Sequence, residues 1–251
     1  MVVQLVLSLF PGIGLLDRAF EEEGFTVVRG PDVLWGGDVR RFHPPAGRFD
    51  GVIGGPPCQS FSSLAHLIRH NGHEPSFGNL IPEYERVVAE AQPRWFVMEN
   101  VPGAPLPNVE GYERWATVLM DSEVGGVQPR ERRISLGMRE GVWSDPLWSP
   151  MSLIEYQDRA GKLARSVTGD ARQQSVGARV RKDGGGGELP HMGATLAVAD
   201  MLEAQGLPRD YLDHAPFTVQ GKRKAIGNGV PLPMGRAIAR AVKAATGGPG
   251  A

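Results

Sequence analysis

A single cysteine, Cys58, sits in the turn Gly54-Gly55-Pro56-Pro57-Cys58-Gln59-Ser60-Phe61-Ser62, directly after the apolar pair Val52-Ile53. Glycines and prolines at a strand end make a tight turn, and a thiol delivered there faces a ligand rather than packing as a small hydrophobe. The nucleophilic form is the thiolate, whose pKa of about 8.5 falls beside cations and backbone amides. Covalent catalysis is the chemistry this turn suggests. Farther along, Glu99-Asn100 closes an apolar run, and Gln128-Pro129-Arg130-Glu131-Arg132-Arg133 concentrates cations. Phe10-Pro11-Gly12-Ile13-Gly14 is a glycine turn of the sort that admits a nucleotide. Each of these, alone, also has an ordinary structural reading as a turn, a cap or a solvated charge run.

The elements that must position these residues follow from periodicity. Strands are expected at Val2 to Leu9, Thr26 to Arg29, Phe49 to Ile53, Arg94 to Met98 and Thr117 to Met120. Helical spacing marks the segment carrying Leu15, Leu16, Ala19 and Phe20, then Ile81 to Ala91, Thr195 to Gln205 and Pro231 to Ala245. Strands alternating with helices predict an α/β fold with a mostly parallel sheet, whose ligands bind beyond the carboxyl ends of the strands. The glycine turn, Cys58 and Glu99 all fall at such ends.

Composition narrows the class. A chain of 251 residues suffices for one well-buried core, or a core with a small attachment. One cysteine excludes an intramolecular disulfide and a cysteine-based metal cluster, which suits a reducing cytoplasm. The start Met-Val-Val-Gln-Leu-Val-Leu lacks the basic region of a signal peptide, and no apolar run approaches the roughly 20 residues of a membrane span. The formal charge of -1 makes no global case for nucleic acid, so that case rests on local clusters. From Arg159 to Lys182 there are seven Lys or Arg against one acid, Asp170, and Lys222-Arg223-Lys224 adds a second basic stretch. Gly184 to Gly187 reads as a mobile loop.

Taken in order, the blocks resemble the DNA cytosine-5 methyltransferase family: Phe-x-Gly-x-Gly at Phe10 to Gly14, Gly-Gly-Pro-Pro-Cys-Gln at Gly54 to Gln59, Glu-Asn-Val at Glu99 to Val101, Gln-x-Arg-x-Arg at Gln128 to Arg132, and Gly-Asn-x-Val-Pro at Gly227 to Pro231. The resemblance covers nearly all the chain outside residues 139 to 193. It implies a Rossmann-like S-adenosylmethionine-dependent methyltransferase fold with a small target-recognition domain. The implied division is a catalytic and cofactor-binding part at 1–139, a recognition segment at 140–192, and a return to the catalytic domain at 193–251. Cys58, Glu99, Arg132 and Arg130 become the catalytic set, with S-adenosylmethionine as methyl donor and S-adenosylhomocysteine as product. Phe10, Pro11, Gly12, Gly14, Asp32, Asp38, Pro57, Asn228 and Val230 are the implied donor-binding residues; no metal is implied. The amides of Gly12 to Gly14 are expected to approach the methionine portion, and Asp32 the ribose hydroxyls. Double-stranded DNA is the implied partner, held by Gln59, Ser60, Ser62, Arg69, Arg179, Arg181 and Lys182, with the target base flipped out to reach the thiol. Ser63 to Asn79 reads as a lid over that base. The implied molecule is a monomer in the cytoplasm of a prokaryotic cell or phage-infected host.

The chain departs from the family pattern at several points. Pro11 replaces Ala or Ser, Leu15 a second Gly, and Val33 a large aromatic, while Phe77 stands where Arg is common. Little room separates Glu99 from Gln128 for the helix relatives carry there. An RNA cytosine-5 methyltransferase and a catalytically silent DNA-binding relative stay open as alternatives. With no endonuclease signature, protection against a separate nuclease and marking of DNA for another purpose also stay open. A recognition segment of some 50 residues presents few side chains to base edges, so a target of about two to four base pairs is expected. Methylation profiling of DNA from cells expressing the chain checks this: modification confined to a six-base-pair motif overturns it.

Overall fold

A computed structural model describes residues 4–57, 78–139 and 196–246. Its strands are β1 (Leu5–Leu9), β2 (Thr26–Arg29), β3 (Gly51–Gly54), β4 (Trp95–Asn100), β5 (Tyr112–Met120) and β6 (Glu131–Arg139), in the spatial order β2-β1-β3-β4-β6-β5. β2, β1, β3 and β4 run parallel, whereas β6 pairs antiparallel with both β4 and β5. The central strands are covered on both faces, which is why β1 and β4 are mostly apolar instead of alternating. The expected α/β architecture is present, with a sheet that is parallel on one side and antiparallel on the other.

Helices α1 (Leu15–Glu22) and α5 (Leu232–Ala245) cover one face, and α2 (Ile81–Ala91) covers the other. Phe20, Phe25 and Trp95 form an aromatic cluster beneath α5, whose Met234, Ile238 and Val242 complete that core. On the opposite face Tyr84, Val87 and Val88 of α2 meet Leu7, Leu9, Val52 and Phe96. Gly235 permits the close crossing of α5 over α1, since a Cβ there would lie 2.7 Å from that of Ala19. Two further helices, α3 (Val198–Ala204) and α4 (Val219–Asn228), bring Met201, Leu202 and Ile226 against Ile13, Leu15 and Ala19. No helix among the described residues is long and apolar enough to cross a membrane.

Three elements differ from the sequence expectation. β6 was not anticipated: Arg132 and Arg133 at its start read as a charge run, although Ile134 to Met138 are buried throughout. β5 begins five residues earlier than expected, at Tyr112 rather than Thr117, and residues 101–111 contain no helix. α4 was missed because Lys222, Arg223 and Lys224 dilute its apolar face.

Register places the site. Leu9 of β1 pairs with Gly54 of β3, and Gly54 pairs with Met98 of β4, so Phe10, Gly55 and Glu99 emerge at one edge of the sheet. Because β6 is antiparallel, its first residues lie beside the last residues of β4, with Arg133 opposite Asn100. The antiparallel pairing therefore carries Arg132 to the edge where the parallel strands end.

The turn from β5 to β6 encloses a buried carboxylate. Asp121 has no solvent exposure; its Oδ2 accepts the Gln128 amide at 3.1 Å, and Oδ1 has no hydrogen-bond partner among the described residues. Gly126 makes space for it, since a Cβ there would lie 2.1 Å from the carboxyl. Burial pushes this carboxyl from 3.8 up to about 6, against the opposing pull of the Gln128 amide and Arg130. The charge is harder to hold folded than unfolded, so this group's contribution to stability falls as pH rises from about 4 through about 6. Two pH units correspond to about 3 kcal/mol at most. Asp121→Asn is accordingly expected to raise the thermal midpoint above wild type at pH 7.5, with the gain vanishing near pH 4; calorimetry across that range checks it.

Candidate active site

A cavity of about 460 Å³ opens at the carboxyl ends of β1, β3 and β4. Its wall contains Phe10, Pro11, Gly12, Asp32, Asp38, Pro57, Asn228 and Val230, all expected as donor-binding residues, together with Glu99 and Arg132 from the catalytic set. Segments distant in sequence thus converge on one space. Gly14 is not part of the wall: Arg29 covers it, its Nη2 lying 2.7 Å from where a Cβ would stand.

The glycine turn is shaped by its neighbours. Phe10 and Gly12 have positive φ, 55° and 56°, a backbone state that costs a phenylalanine energy and that glycine adopts freely. The Gly12 amide donates to Asp32 Oδ2 at 2.8 Å, while the Gly12 carbonyl accepts the Trp35 indole N–H at 2.8 Å. The Gly14 amide donates to the Pro11 carbonyl at 2.8 Å. The expectation that these amides reach a ligand is therefore corrected for Gly12 and Gly14: both donors are consumed within the protein, and the turn offers shape instead. Asp32 also accepts the Leu34 amide through Oδ1 at 2.7 Å. A carboxylate has about four acceptor positions, so two remain for a ligand. Asp38 likewise accepts the Arg40 amide through Oδ1 at 3.0 Å.

At the other end of the cavity Glu99 and Arg132 form an ion pair, Nε to Oε1 at 2.7 Å, with side chains only 10% and 17% exposed. The second carboxylate oxygen points toward Gly55, where a Cβ would come within 2.9 Å of it. Glycine at this position keeps that oxygen accessible. Asn100 anchors the approach to the cysteine turn: its Nδ2 donates to the Pro56 carbonyl at 3.2 Å, and its Oδ1 accepts the Val101 amide at 2.8 Å. Cys58 itself lies outside the described residues, as do Gln59, Ser60, Ser62, Arg69, Arg179, Arg181 and Lys182, and most of the expected lid.

Arg130 departs from its expected place. It does not line the cavity; it is 6% exposed and donates through Nη2 to the carbonyls of Gly227 at 2.8 Å and Gly229 at 3.2 Å. Arg130 lies just before β6, where regular strand alternation does not apply, and turns toward the returning segment, whereas Arg132 within β6 reaches the wall. Gln128 extends the same brace by donating to the Ala204 carbonyl at 2.7 Å, and Gln205 donates to the Ile226 carbonyl at 2.9 Å.

Sequence reasoning overlooked two wall residues, Asp17 and Lys224, and one aromatic behind the wall, Trp35. Asp17 has no solvent exposure, accepts the Ser8 hydroxyl, and pairs with Arg29 at 2.9 Å. Burial raises its carboxyl above the usual range, opposed by Ser8 and Arg29. Its signal was available, an acid within the apolar face Leu15-Leu16-Asp17, but helical spacing drew attention to the leucines. Lys224 was assigned to a DNA-facing charge run, yet it lines the cavity with Gly221 and Ala225. Trp35 lies outside the wall and stacks on Phe217, ring centres 5.2 Å apart. The aromatic absent at Val33 is thus placed to hold the turn from behind.

Residues 36–159 match the family model described as C-5 cytosine-specific DNA methylase. Residues 36–159 thus carry a C-5 cytosine-specific DNA methylase domain. Type II methyltransferase M.NgoPII of Neisseria gonorrhoeae is 28% identical over 185 residues, covering 61% of this chain and 53% of that protein. Type II methyltransferase M.FnuDI of Fusobacterium nucleatum is 32% identical over 166 residues, covering 55% of this chain and 47% of its own length. The chain spans about half the length of these curated relatives. Among solved structures, the S. pombe Dnmt2 methyltransferase superposes with a TM-score of 0.66 at 12% identity, covering 97% of this chain and 99% of that one. The fold of this methylase is that of S-adenosylmethionine-dependent methyltransferases.

In this methylase the Arg130 brace fixes the segment carrying Asn228 and Val230. Arg130→Met would leave two carbonyls without their donor, at a cost of about 2–4 kcal/mol. Urea unfolding of the variant is expected to show that loss with an unchanged slope, and a variant as stable as wild type refutes the brace.

Proposed function

We propose that the chain transfers a methyl group from S-adenosylmethionine to carbon 5 of a flipped cytosine in double-stranded DNA, through a transient bond from Cys58 to carbon 6. The observation that carries this reading is the Glu99–Arg132 pair, held at 2.7 Å at one end of a cavity whose other end bears Phe10, Asp32 and Asp38. A single space that joins a donor-type wall to a charged pair suits methyl transfer onto an activated ring.

The donor set fits S-adenosylmethionine. Phe10 offers an apolar face for adenine, Asp32 retains two acceptor positions for ribose hydroxyls, and Asp38 retains Oδ2 for the adenine amino group. Open space beyond Gly12, where a Cβ would meet nothing within 4 Å, leaves room for the chain of the donor. When bound, S-adenosylmethionine supplies an electrophilic methyl group. Cytosine carbon 5 is too weakly nucleophilic to take it unaided. The Cys58 thiolate adds to carbon 6 and pushes an electron pair into the ring. Glu99, through the oxygen facing Gly55, meets the N3 and N4 edge and shares a proton at N3, while Arg132 steadies the carbonyl at position 2. After transfer, loss of the carbon-5 proton returns the electron pair and expels the thiolate. Asn100 serves as a positioning residue, holding Pro56 at the point where the cysteine turn begins.

Residues 140–192 form the proposed recognition segment, with Arg179, Arg181 and Lys182 on phosphates, and 1–139 with 193–251 form the proposed catalytic part. The proposed molecule acts as a monomer in the cytoplasm. Duplex DNA bearing 5-fluorocytosine at the target position provides the test, because fluorine cannot leave as a cation and the adduct is trapped. Wild type is expected to form a denaturation-resistant complex that requires S-adenosylmethionine, and Cys58→Ser none. Label from the donor entering transfer RNA but not duplex DNA overturns the proposal.

A further inference from the structure

Three cationic side chains, Arg40, Arg132 and Lys224, line the cavity among the described residues. Arg132 is committed to Glu99 at 2.7 Å, and Arg40 lies 3.9 Å from Asp38. Lys224 has no such role. It belongs to α4, where Gly221, Lys224, Ala225 and Asn228 share one helical face and all border the cavity. Its neighbours face elsewhere: Lys222 Nζ donates to the Asp213 carbonyl at 3.4 Å and Arg223 Nη2 to the Leu196 carbonyl at 3.2 Å. One cation of the three-residue run is therefore directed at the cavity.

The helix that carries that cation is held in place. The C-terminal end of α4 is held by Gln205 and Arg130, and Gly229 packs so tightly on Leu15 that a Cβ would lie 2.5 Å from its Cδ1. Tyr211 ties the preceding segment to the glycine turn through the Ile13 carbonyl at 3.2 Å. Lys224 thus borders the stretch of cavity beside that turn. The same wall carries Asp17, Asp32 and Asp38, which disfavour any anion entering. S-adenosylmethionine carries one anionic group, the carboxylate of its methionine portion, and the amides of Gly12 and Gly14 are already engaged. An anion beside three carboxylates needs a positive partner.

We infer that Lys224 binds the methionine carboxylate of S-adenosylmethionine. This rests on the proposed donor. An exposed ammonium gains modestly from one charge-assisted contact, and salt screens the gain.

Decarboxylated S-adenosylmethionine retains the nucleoside, sulfonium and amine and lacks only the carboxylate. Calorimetric titration of the full chain at low ionic strength, with each compound separately, gives an affinity ratio for wild type, Lys224→Met and Lys222→Met. The ratio favouring S-adenosylmethionine is expected to fall about tenfold in Lys224→Met, through weaker binding of that compound alone, and to stay constant in Lys222→Met. The acidic wall biases all three proteins alike and cancels in the comparison. An unchanged ratio in Lys224→Met, or equal weakening of both compounds, overturns the inference while leaving the donor assignment intact. An unchanged ratio with weaker duplex binding by Lys224→Met also overturns it and assigns the cation to a phosphate. Wild type binding neither compound defeats the proposed donor and the inference with it.

Discussion

Arg130 carries its charge into the interior and spends it on two backbone carbonyls, those of Gly227 and Gly229. A buried cation is costly unless its donors are met, and carbonyls at the end of a helix are the groups left unpaired by helix geometry. The contact meets the two carbonyls through one end of the guanidinium. It also fastens the returning segment 196–246 to a strand of the sheet, because Gln128 reaches Ala204 and Gln205 reaches Ile226 alongside it. That fastening joins the packing of Gly229 on Leu15 in setting Asn228 and Val230 against the rest of the cavity wall.

The sheet supplies the second half of the arrangement. Parallel pairing of β1, β3 and β4 aligns three strand ends, and antiparallel pairing of β6 returns a strand start to the same edge. Arg130, at the threshold of β6, braces the wall from behind, and Arg132, within β6, lies on it. One strand thereby links the charged pair at Glu99 to the support of the donor-side wall. Asp121 is part of the cost, an acid buried beside Arg130 in the turn that begins that strand.

Much of this was legible in the sequence, and what was not has physical reasons. Glycine turns and strand-end acids mark themselves in a sequence, and Gly12, Asp32, Asp38, Glu99 and Asn228 line one cavity. Leu15, where a second glycine is usual, proved compatible because Gly229 leaves it space, a pairing between positions 214 apart that no local pattern reveals. β6 was hidden because strand propensity says nothing about two arginines whose partners are carbonyls and a carboxylate elsewhere. Arg130 was misplaced for the same reason, since spacing assigns residue types to a block but not the direction a side chain takes where a turn meets a strand. Lys224 was hidden inside a charge run whose three members point in different directions. The backbone donors of Gly12 and Gly14 could not be scored from sequence at all, because their acceptors depend on how the turn closes.

The crossing of α5 over α1 joins the two ends of the described chain, with Gly235 against Ala19 and Arg240 paired to Glu23 at 2.7 Å. Contacts of such sequence separation form late, after the loop between them has closed. During synthesis on the ribosome, the strands that carry Glu99 and Arg132 emerge long before the helices that complete the wall. A nascent chain therefore has its charged pair in reach while the pocket beside it is still open to solvent.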